Sequence, residues 1–336
     1  IVPASNYSAR DLTDLPGKTI HVRKGTSYEQ RLRELQRGGL KINLVLRENV
    51  PTEELIRQVA EGEIDVTVAD SNIAMLNRRY YPDVRIAFSI SAPQLIAWAV
   101  HPDDEELLAE INEFFQEIQE SGRFERIYDR YYANVEVFDY FDLKVFHRRI
   151  STRLPHYLDA IKREADAFGF DWRLIAAVAY QESHYHPVAR SYTGVRGFMQ
   201  VTRATAREMG IRDRLDPEQS IHAGVKYLAT LYDRFDRVDN HRDRLLITMA
   251  AYNVGYGHVR DAQQLARRKG VNPNRWHSLE ETLPLLRDPQ YYRNLPHGYA
   301  RGTEPVRYVN RILTYYDILR QQAGETPARS NEEEQE

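Results

Sequence analysis

The sequence contains no cysteine among its 336 residues. The absence of thiols excludes a cysteine nucleophile, a disulfide framework and a zinc site with cysteine ligands. Long apolar runs are missing too, since the longest covers residues 174–180 and is far too short to span a bilayer. An excess of positive charge is also absent: 46 Lys and Arg residues against 49 Asp and Glu give a net charge of -3. We therefore expect no nucleic-acid partner.

The composition that remains is ordinary for a globular protein, with 42% hydrophobic and 28% charged residues. At this length we expect two domains, each with a core of its own. The chain begins at Ile1 and shows no signal-peptide pattern there. We interpret it as a processed or truncated chain from which any targeting or lipid-anchoring segment is absent.

The first part of the chain alternates strand-like and helix-like segments. Two intervening helices carry apolar residues at helical spacing and stop at glycines, the first at Gly38 and the second at Gly62. Strands separated by helices indicate a parallel α/β sheet. The predicted strands lie around residues 20–22, 42–46, 64–68, 84–90 and 95–100, and a longer helix is predicted over 104–120.

From about residue 150 the strand pattern disappears and an all-α domain is predicted. Asp171 is a candidate N-cap for a helix over 172–183, and Asp216-Pro217 is a typical helix start. Other helices are expected at 154–168, 243–252, 258–268 and 304–322. We place the domains at 1–140 and 141–322, with a connector over about 133–150. The tail, 323–336, has nothing to bury and is expected to be disordered.

Glu182 is the first candidate for chemistry. The helix over 172–183 is apolar nearly all round, so we expect it to be buried on most sides. Glu182 stands in its last turn, among apolar neighbours and beside the negative end of the helix dipole. Both effects raise the pKa of a carboxyl group and favour a general acid. The alternative is a solvated side chain where the helix emerges.

Four ordered motifs favour a catalytic Glu182 over a solvated side chain. They are QESHYHPVARS at 181–191, GVRGFMQ at 194–200, AAYNVG at 250–255 and YV at 308–309. Together they resemble the lytic transglycosylases with a soluble-transglycosylase catalytic domain, a helical lysozyme-like fold that cuts peptidoglycan glycan strands. The resemblance covers residues of about 150 to 322. Phe198 departs from the usual leucine, which puts subsite preference in doubt but leaves the other motif residues in register.

The resemblance implies that Glu182 is the single acid/base. By this interpretation the enzyme joins the muramyl 6-hydroxyl to C1 without water and leaves a 1,6-anhydromuramic acid end. Met199 is expected to pack on a pyranose ring, Gln200 to hydrogen-bond its substituents and Ser191 to hold the rotamer of Glu182. The expected substrate-binding residues are Ser191, Met199, Gln200, Tyr252, Asn253 and Tyr308. Each has a plainer alternative, such as a packed methionine or a core tyrosine.

Three other interpretations stay open. A lysozyme-type hydrolase on the same fold is disfavoured, because such enzymes ordinarily use two carboxylates and the motifs show one. A non-catalytic protein that only grips glycan is disfavoured by the intact motifs. His184 and His186 would be candidates for a metal site, but their spacing matches no zinc signature. We therefore expect no metal and no cofactor.

The α/β half resembles the periplasmic solute-binding domains of the amino-acid-binding type, through the segment beginning at Lys24 and the segment from 107 to 132. The resemblance covers the second of the two lobes of such a domain and the return into the first, so we expect an incomplete domain that lacks the leading part of lobe one. Gly25, Thr26 and Ser27 offer backbone N–H groups to an anion at a helix start. Asp70 follows a strand, where α/β sheets bind ligands, and by resemblance pairs with an ammonium group. Helix capping is the alternative for Thr26, Ser27 and Asp70.

The order of the two halves resembles the membrane-bound lytic transglycosylases of the F type. That resemblance implies a periplasmic protein associated with the outer membrane through a segment that this chain lacks. It also implies that the first domain regulates the second by sensing a small amino-acid-like ligand or a cell-wall peptide.

Overall fold

The computed structural model describes residues 1–128, 140–191 and 194–324. The chain divides into two compact units, Ile1–Val145 and Phe146–Glu336. The division falls within the connector predicted over 133–150, while the exact ends of the two domains stay a prediction. Most of the predicted tail lies outside the described residues.

The first unit contains both strands and helices. Strands β2 (Thr19–Arg23) and β3 (Asn43–Arg47) pair in parallel, with Thr19 opposite Asn43. Strands β1 (Val2–Pro3) and β4 (Val84–Arg85) pair antiparallel. The helices are α1 (Ser27–Arg37), α2 (Thr52–Ala60), α3 (Ser71–Asn77), α4 (Glu105–Glu120) and α5 (Arg123–Tyr128). The predicted α/β organisation is confirmed, since β2 and β3 are joined through α1.

The sheet is smaller than the strand-like segments predict. The 64–68 segment contributes one parallel bridge between His21 and Thr67, and the 84–90 segment is reduced to β4. The strand predicted over 95–100 is wrong: its residues form no strand, and Leu95 is fully exposed. An apolar segment becomes a strand only where a neighbouring strand can pair with its backbone groups, and the residue pattern does not reveal that partner.

The second unit is all-α, as predicted. The helix α6 (Tyr140–Thr152) leads into it, and a 3-10 turn (Leu154–His156) precedes the next helix because Pro155 interrupts the predicted helix. The remaining helices are α7 (Leu158–Ala167), α8 (Trp172–Ser183), α9 (Arg203–Met209), α10 (Pro217–Arg234), α11 (His241–Val254), α12 (Tyr256–Arg268), α13 (Trp276–Thr282), α14 (Pro289–Tyr292) and α15 (Thr303–Gln322). The short helices α9, α13 and α14 were not predicted.

The core of the second unit surrounds α8. This helix packs mainly against α15, which also packs against α11. Ile175 of α8, Ile247 of α11 and Ile312 of α15 have no exposed surface. The three helices thus bring the 181–191, 250–255 and 308–309 motifs toward one another. Within the described residues, none of the helices has the length and apolarity that crossing a membrane requires.

Candidate active site

Helix α8 positions Glu182 because both of its ends are held. At the N-terminus the Asp171 carboxylate accepts a hydrogen bond from the Arg173 backbone N–H at 2.9 Å, and the Tyr316 hydroxyl donates to the same side chain at 2.7 Å. At the C-terminus His184 and Tyr185 both adopt left-handed backbone conformations, with φ of 54° and 58°. Such residues cost about 1–3 kcal/mol each and persist where surrounding structure enforces them, often at functional sites. The turn after Glu182 is therefore strongly constrained.

The Glu182 carboxyl is bonded to one tyrosine. The Tyr308 hydroxyl of α15 donates a hydrogen bond of 2.5 Å to Oε1 of Glu182. Burial raises the pKa of Glu182 from 4.5 to about 7, although the Tyr308 hydrogen bond acts in the opposite direction. The residue keeps some exposed surface, which a group that must reach a ligand requires. A carboxyl of this pKa is present in both protonation states near neutral pH, as an acid that later serves as a base must be.

Two tyrosines interact electrostatically with Glu182: Tyr308, which is buried, and Tyr252, which is partly buried. Burial, and then the charge of Glu182, raises the pKa of Tyr252 and of Tyr308 well above the usual 10.0, so both phenols stay neutral donors. Tyr252 directs its hydroxyl to the backbone oxygen of Met199, at 2.8 Å. Tyr308, expected on the last helix near the glutamate, is in direct contact with it. Tyr252 instead ties the 194–200 motif to α11.

The 194–200 motif folds back tightly on the core. Gly197 has a φ of 97°, and a Cβ atom there would lie 1.9 Å from the backbone oxygen of Arg214. Met199 follows with no exposed surface, and its side chain fills the space that Gly224 of α10 leaves by lacking a Cβ. The expectation that Met199 packs on a sugar ring is therefore wrong in this structure. Phe198 is also fully buried, so it forms no groove wall.

The polar side chains of Gln200 and Ser191 form hydrogen bonds mainly within the loop itself. The Gln200 side-chain nitrogen donates to the backbone oxygens of Ala189 and Gly197, at 3.0 and 2.8 Å. Its amide oxygen is the part left to meet a ligand. The Ser191 hydroxyl oxygen accepts from the Val195 backbone N–H at 3.0 Å, and its predicted contact with Glu182 stays a prediction. Asn253 is exposed in the last turn of α11, before the break at Gly255, as expected of a groove residue.

In the first unit, the predicted anion site is already occupied by an internal carboxylate. Glu29 accepts a hydrogen bond from the Gly25 backbone N–H at 2.7 Å, and the Thr26 side chain accepts from the Glu29 backbone N–H at 3.4 Å. Thr26 is thus the N-cap of α1, which is the capping alternative, and Ser27 is the first residue of that helix. Asp70 precedes α3, is exposed and makes no side-chain capping bond, so capping does not explain it.

Comparison with known proteins assigns both halves of the chain. Residues 159–274 match the family described as Transglycosylase SLT domain. Residues 25–134 match the family described as Bacterial extracellular solute-binding proteins, family 3. The two matched segments fall in the second and the first unit respectively.

Relatives cover nearly the whole chain. It is 59% identical over 321 residues to the Membrane-bound lytic murein transglycosylase F of Desulfosudis oleivorans, covering 96% of this chain and 71% of that protein. The protein of the same name from Pseudomonas putida is 43% identical, with 92% of this chain and 64% of the relative covered. The chain thus spans about two thirds of the length of these relatives. A solved structure, an inactive mutant of lytic transglycosylase Slt from Pseudomonas aeruginosa, is 26% identical with a TM-score of 0.38, over 50% of this chain and 25% of that one.

Proposed function

The chain belongs to the family of the membrane-bound lytic murein transglycosylases F, and from this premise we propose that its second unit cuts peptidoglycan without water. The bond cleaved joins N-acetylmuramic acid to N-acetylglucosamine, and the product carries a 1,6-anhydromuramic acid end. The observation that supports this most directly is a partly buried carboxyl, Glu182, whose pKa is raised to about 7. Among the described residues no second carboxylate shifts that pKa.

In the first step Glu182 acts as an acid. Tyr308 occupies Oε1, so the transferable proton of the neutral carboxyl belongs to Oε2. That proton passes to the glycosidic oxygen as its bond to C1 of the muramyl residue breaks. The 2-acetamido group of the same residue stabilises the positive charge that develops on the sugar, as in substrate-assisted glycosidases. A second protein carboxylate is not needed for this step.

In the second step the same carboxylate acts as a base. It takes the proton of the muramyl 6-hydroxyl while that oxygen forms the new bond to C1. One bond at C1 is broken and one is formed, and the proton that leaves O6 replaces the one given to the leaving sugar. Glu182 ends the cycle protonated. A partly buried carboxyl with a pKa close to the working pH suits both transfers.

The product identifies the reaction. We expect purified peptidoglycan incubated with this protein to release fragments lighter by one water than hydrolytic products and resistant to borohydride reduction, as measured by mass spectrometry. Reducible muramyl ends would show a lysozyme-type hydrolase instead. The absence of any fragments would favour a protein that only binds glycan.

Tyr308→Phe tests the contact between α15 and α8. The Tyr308 hydrogen bond lowers the pKa of Glu182, so its loss should raise that pKa further above 7. Because protonated Glu182 starts the reaction, the alkaline limb of the rate should move to higher pH. The maximal rate should fall by roughly 10- to 100-fold, since a hydrogen bond to a charged group contributes about 1.5–3 kcal/mol. A slower enzyme with an unmoved pH profile would contradict this role for Tyr308.

The first unit, in our proposal, binds a small amino-acid-like or wall-peptide ligand and regulates the second. Its support is the match to the solute-binding family and an exposed Asp70 that no capping bond occupies. Isothermal calorimetry with a wall tripeptide tests this, with Asp70→Asn as the variant. Equal heats of binding from the unmutated protein and from Asp70→Asn would show that Asp70 does not bind the ligand.

We also propose a periplasmic location at the outer membrane, on the strength of the relatives' names.

A further inference from the structure

Four arginines surround an open pocket in the second unit. The pocket has a volume of about 340 Å³, and its wall includes Arg190, Arg196, Arg203 and Arg214. We call it the arginine pocket. Gly194 and Val195 complete the wall on the side of the 194–200 motif. Sequence reasoning missed this site, because the chain as a whole has no excess of positive charge.

The charges of the arginine pocket are not neutralised within the described residues. No Asp or Glu carboxylate there lies within ion-pair distance of the four guanidinium groups. The pKa of Arg214 is lowered, first by burial and then by the charges of Arg203 and Arg196. Arginine nonetheless stays charged in proteins. Like charges are therefore held around one space, an arrangement that an anion would stabilise.

Backbone pairing brings two of the four arginines close to one another. Arg190 and Arg196 form an antiparallel bridge, and Arg196 forms a second one with Val201. Arg214 is held in place because its Nη1 donates to the Val201 backbone oxygen at 3.2 Å. Bridged residues face each other across the loop, so their spacing is fixed by main-chain pairing. Main-chain pairing thus sets the spacing of Arg190 and Arg196, and a hydrogen bond holds Arg214, while Arg203 is exposed at the first residue of α9.

The same loop supports the Glu182 site. Gln200 binds the Ala189 backbone oxygen, next to Arg190, and Tyr252 binds the Met199 backbone oxygen. A ligand group in the arginine pocket would thus contact the same segment that Tyr252 binds through its hydroxyl. A substituent of a bound glycan strand is the group that this arrangement would meet.

We propose that the arginine pocket binds the carboxylates of the peptide that substitutes the muramyl residue, so that this unit recognises peptide-bearing strands. The proposal rests on the proposed function of the second unit. Sugar rings are neutral, whereas an uncrosslinked wall peptide ends in free carboxylates. Guanidinium groups bind carboxylates through two parallel hydrogen bonds, which gives both strength and direction. Binding of the peptide would add to the binding of the sugar rings.

Binding measured without turnover tests the pocket. In a Glu182→Gln background, we compare peptide-bearing glycan strands with strands whose peptides an amidase has removed. The variants are Arg196→Gln and Arg203→Gln, because Arg214 also has a structural bond. Each should raise the Kd for peptide-bearing strands about tenfold, and raise it much less for stripped strands. The control is Arg207→Gln, which removes the same charge from an exposed position of α9 outside the pocket.

Three results would overturn the proposal. Unchanged affinity in both variants would show that the arginines bind nothing on the strand. An equal loss on stripped strands would show that the pocket recognises the sugars, or the lactyl carboxylate that the amidase exposes, and not the peptide. Competition by sodium phosphate as strong as that by a free wall tripeptide would show a general anion site. None of these affects the proposed cleavage, which fails only if the unmutated protein produces no anhydro ends.

Discussion

Glu182→Gln should abolish glycan cleavage and at the same time stabilise the protein at alkaline pH. The amide keeps an oxygen that can accept the Tyr308 hydrogen bond, but it can neither donate nor accept the transferred proton. Loss of general acid–base catalysis costs about 10²–10⁴-fold, and here one residue performs both transfers, so we expect the upper end of that range. Fragment release from purified peptidoglycan measures it.

The stability gain follows from the raised pKa. The carboxyl has a pKa of about 7 in the folded protein and of 4.5 when exposed. Its ionisation therefore disfavours the folded state, and the stability that the neutral form provides is lost as pH rises from 4.5 to about 7. A glutamine has no such loss. The free energy of unfolding of the variant should exceed that of the unmutated protein by at most about 3 kcal/mol at pH 8, and by almost none at pH 4.

Denaturant unfolding at several pH values, followed through the transition of the second unit, checks this difference. Glu208→Gln on the exposed face of α9 is the matched control, and it should leave both activity and the pH dependence unchanged. A stability difference between Glu182→Gln and the unmutated protein that does not vary with pH would mean that Glu182 titrates as an ordinary exposed carboxyl. Cleavage by the variant at a normal rate would remove Glu182 from the chemistry.

The features that depend on local sequence were predictable. The N-cap at Asp171, the start of α10 at Asp216 and the apolar circumference of α8 are all encoded within a few residues. The raised pKa of Glu182 follows from the same local pattern, because a carboxyl in the last turn of a buried helix has little access to water. Its hydrogen bond to Tyr308 required the resemblance, since the two residues are 126 positions apart.

The direction in which a side chain points was not predictable. Met199 turns inward because Gly224, on a helix 25 residues later, leaves it room, and no pattern around Met199 reveals this. The helix-capping role of Thr26 was easier to predict from the sequence. A threonine followed three residues later by glutamate is the capping-box signature, and Glu29 does turn back onto the start of α1. The cluster of arginines between 190 and 214 was also visible in the sequence, but only the fold shows that four of them share one pocket.

Gly197→Ala should unfold or severely destabilise the loop that supports the active site. The backbone at Gly197 has a φ of 97°, which an alanine adopts at a cost of about 1–2 kcal/mol. The added methyl group would also lie 1.9 Å from the Arg214 backbone oxygen, so the backbone has to move. Because Gly197 accepts a bond from Gln200 and donates one to Ala189, that movement would disturb the whole motif. We expect a loss of more than about 3 kcal/mol in the free energy of unfolding.

Gly194→Ala separates the cost of the backbone conformation from the cost of the clash with Arg214. Gly194 has a similar φ of 84°, but an added Cβ would meet no atom within 4 Å. This variant should lose only the conformational part, about 1–2 kcal/mol, and retain most of its cleavage activity. Thermal unfolding and fragment release are measured on both variants side by side. Equal losses in the two variants would mean that backbone conformation alone explains the glycines of the motif. A much larger loss at Gly197 would show that close contact with Arg214 fixes the loop that carries Gln200 and lines the arginine pocket.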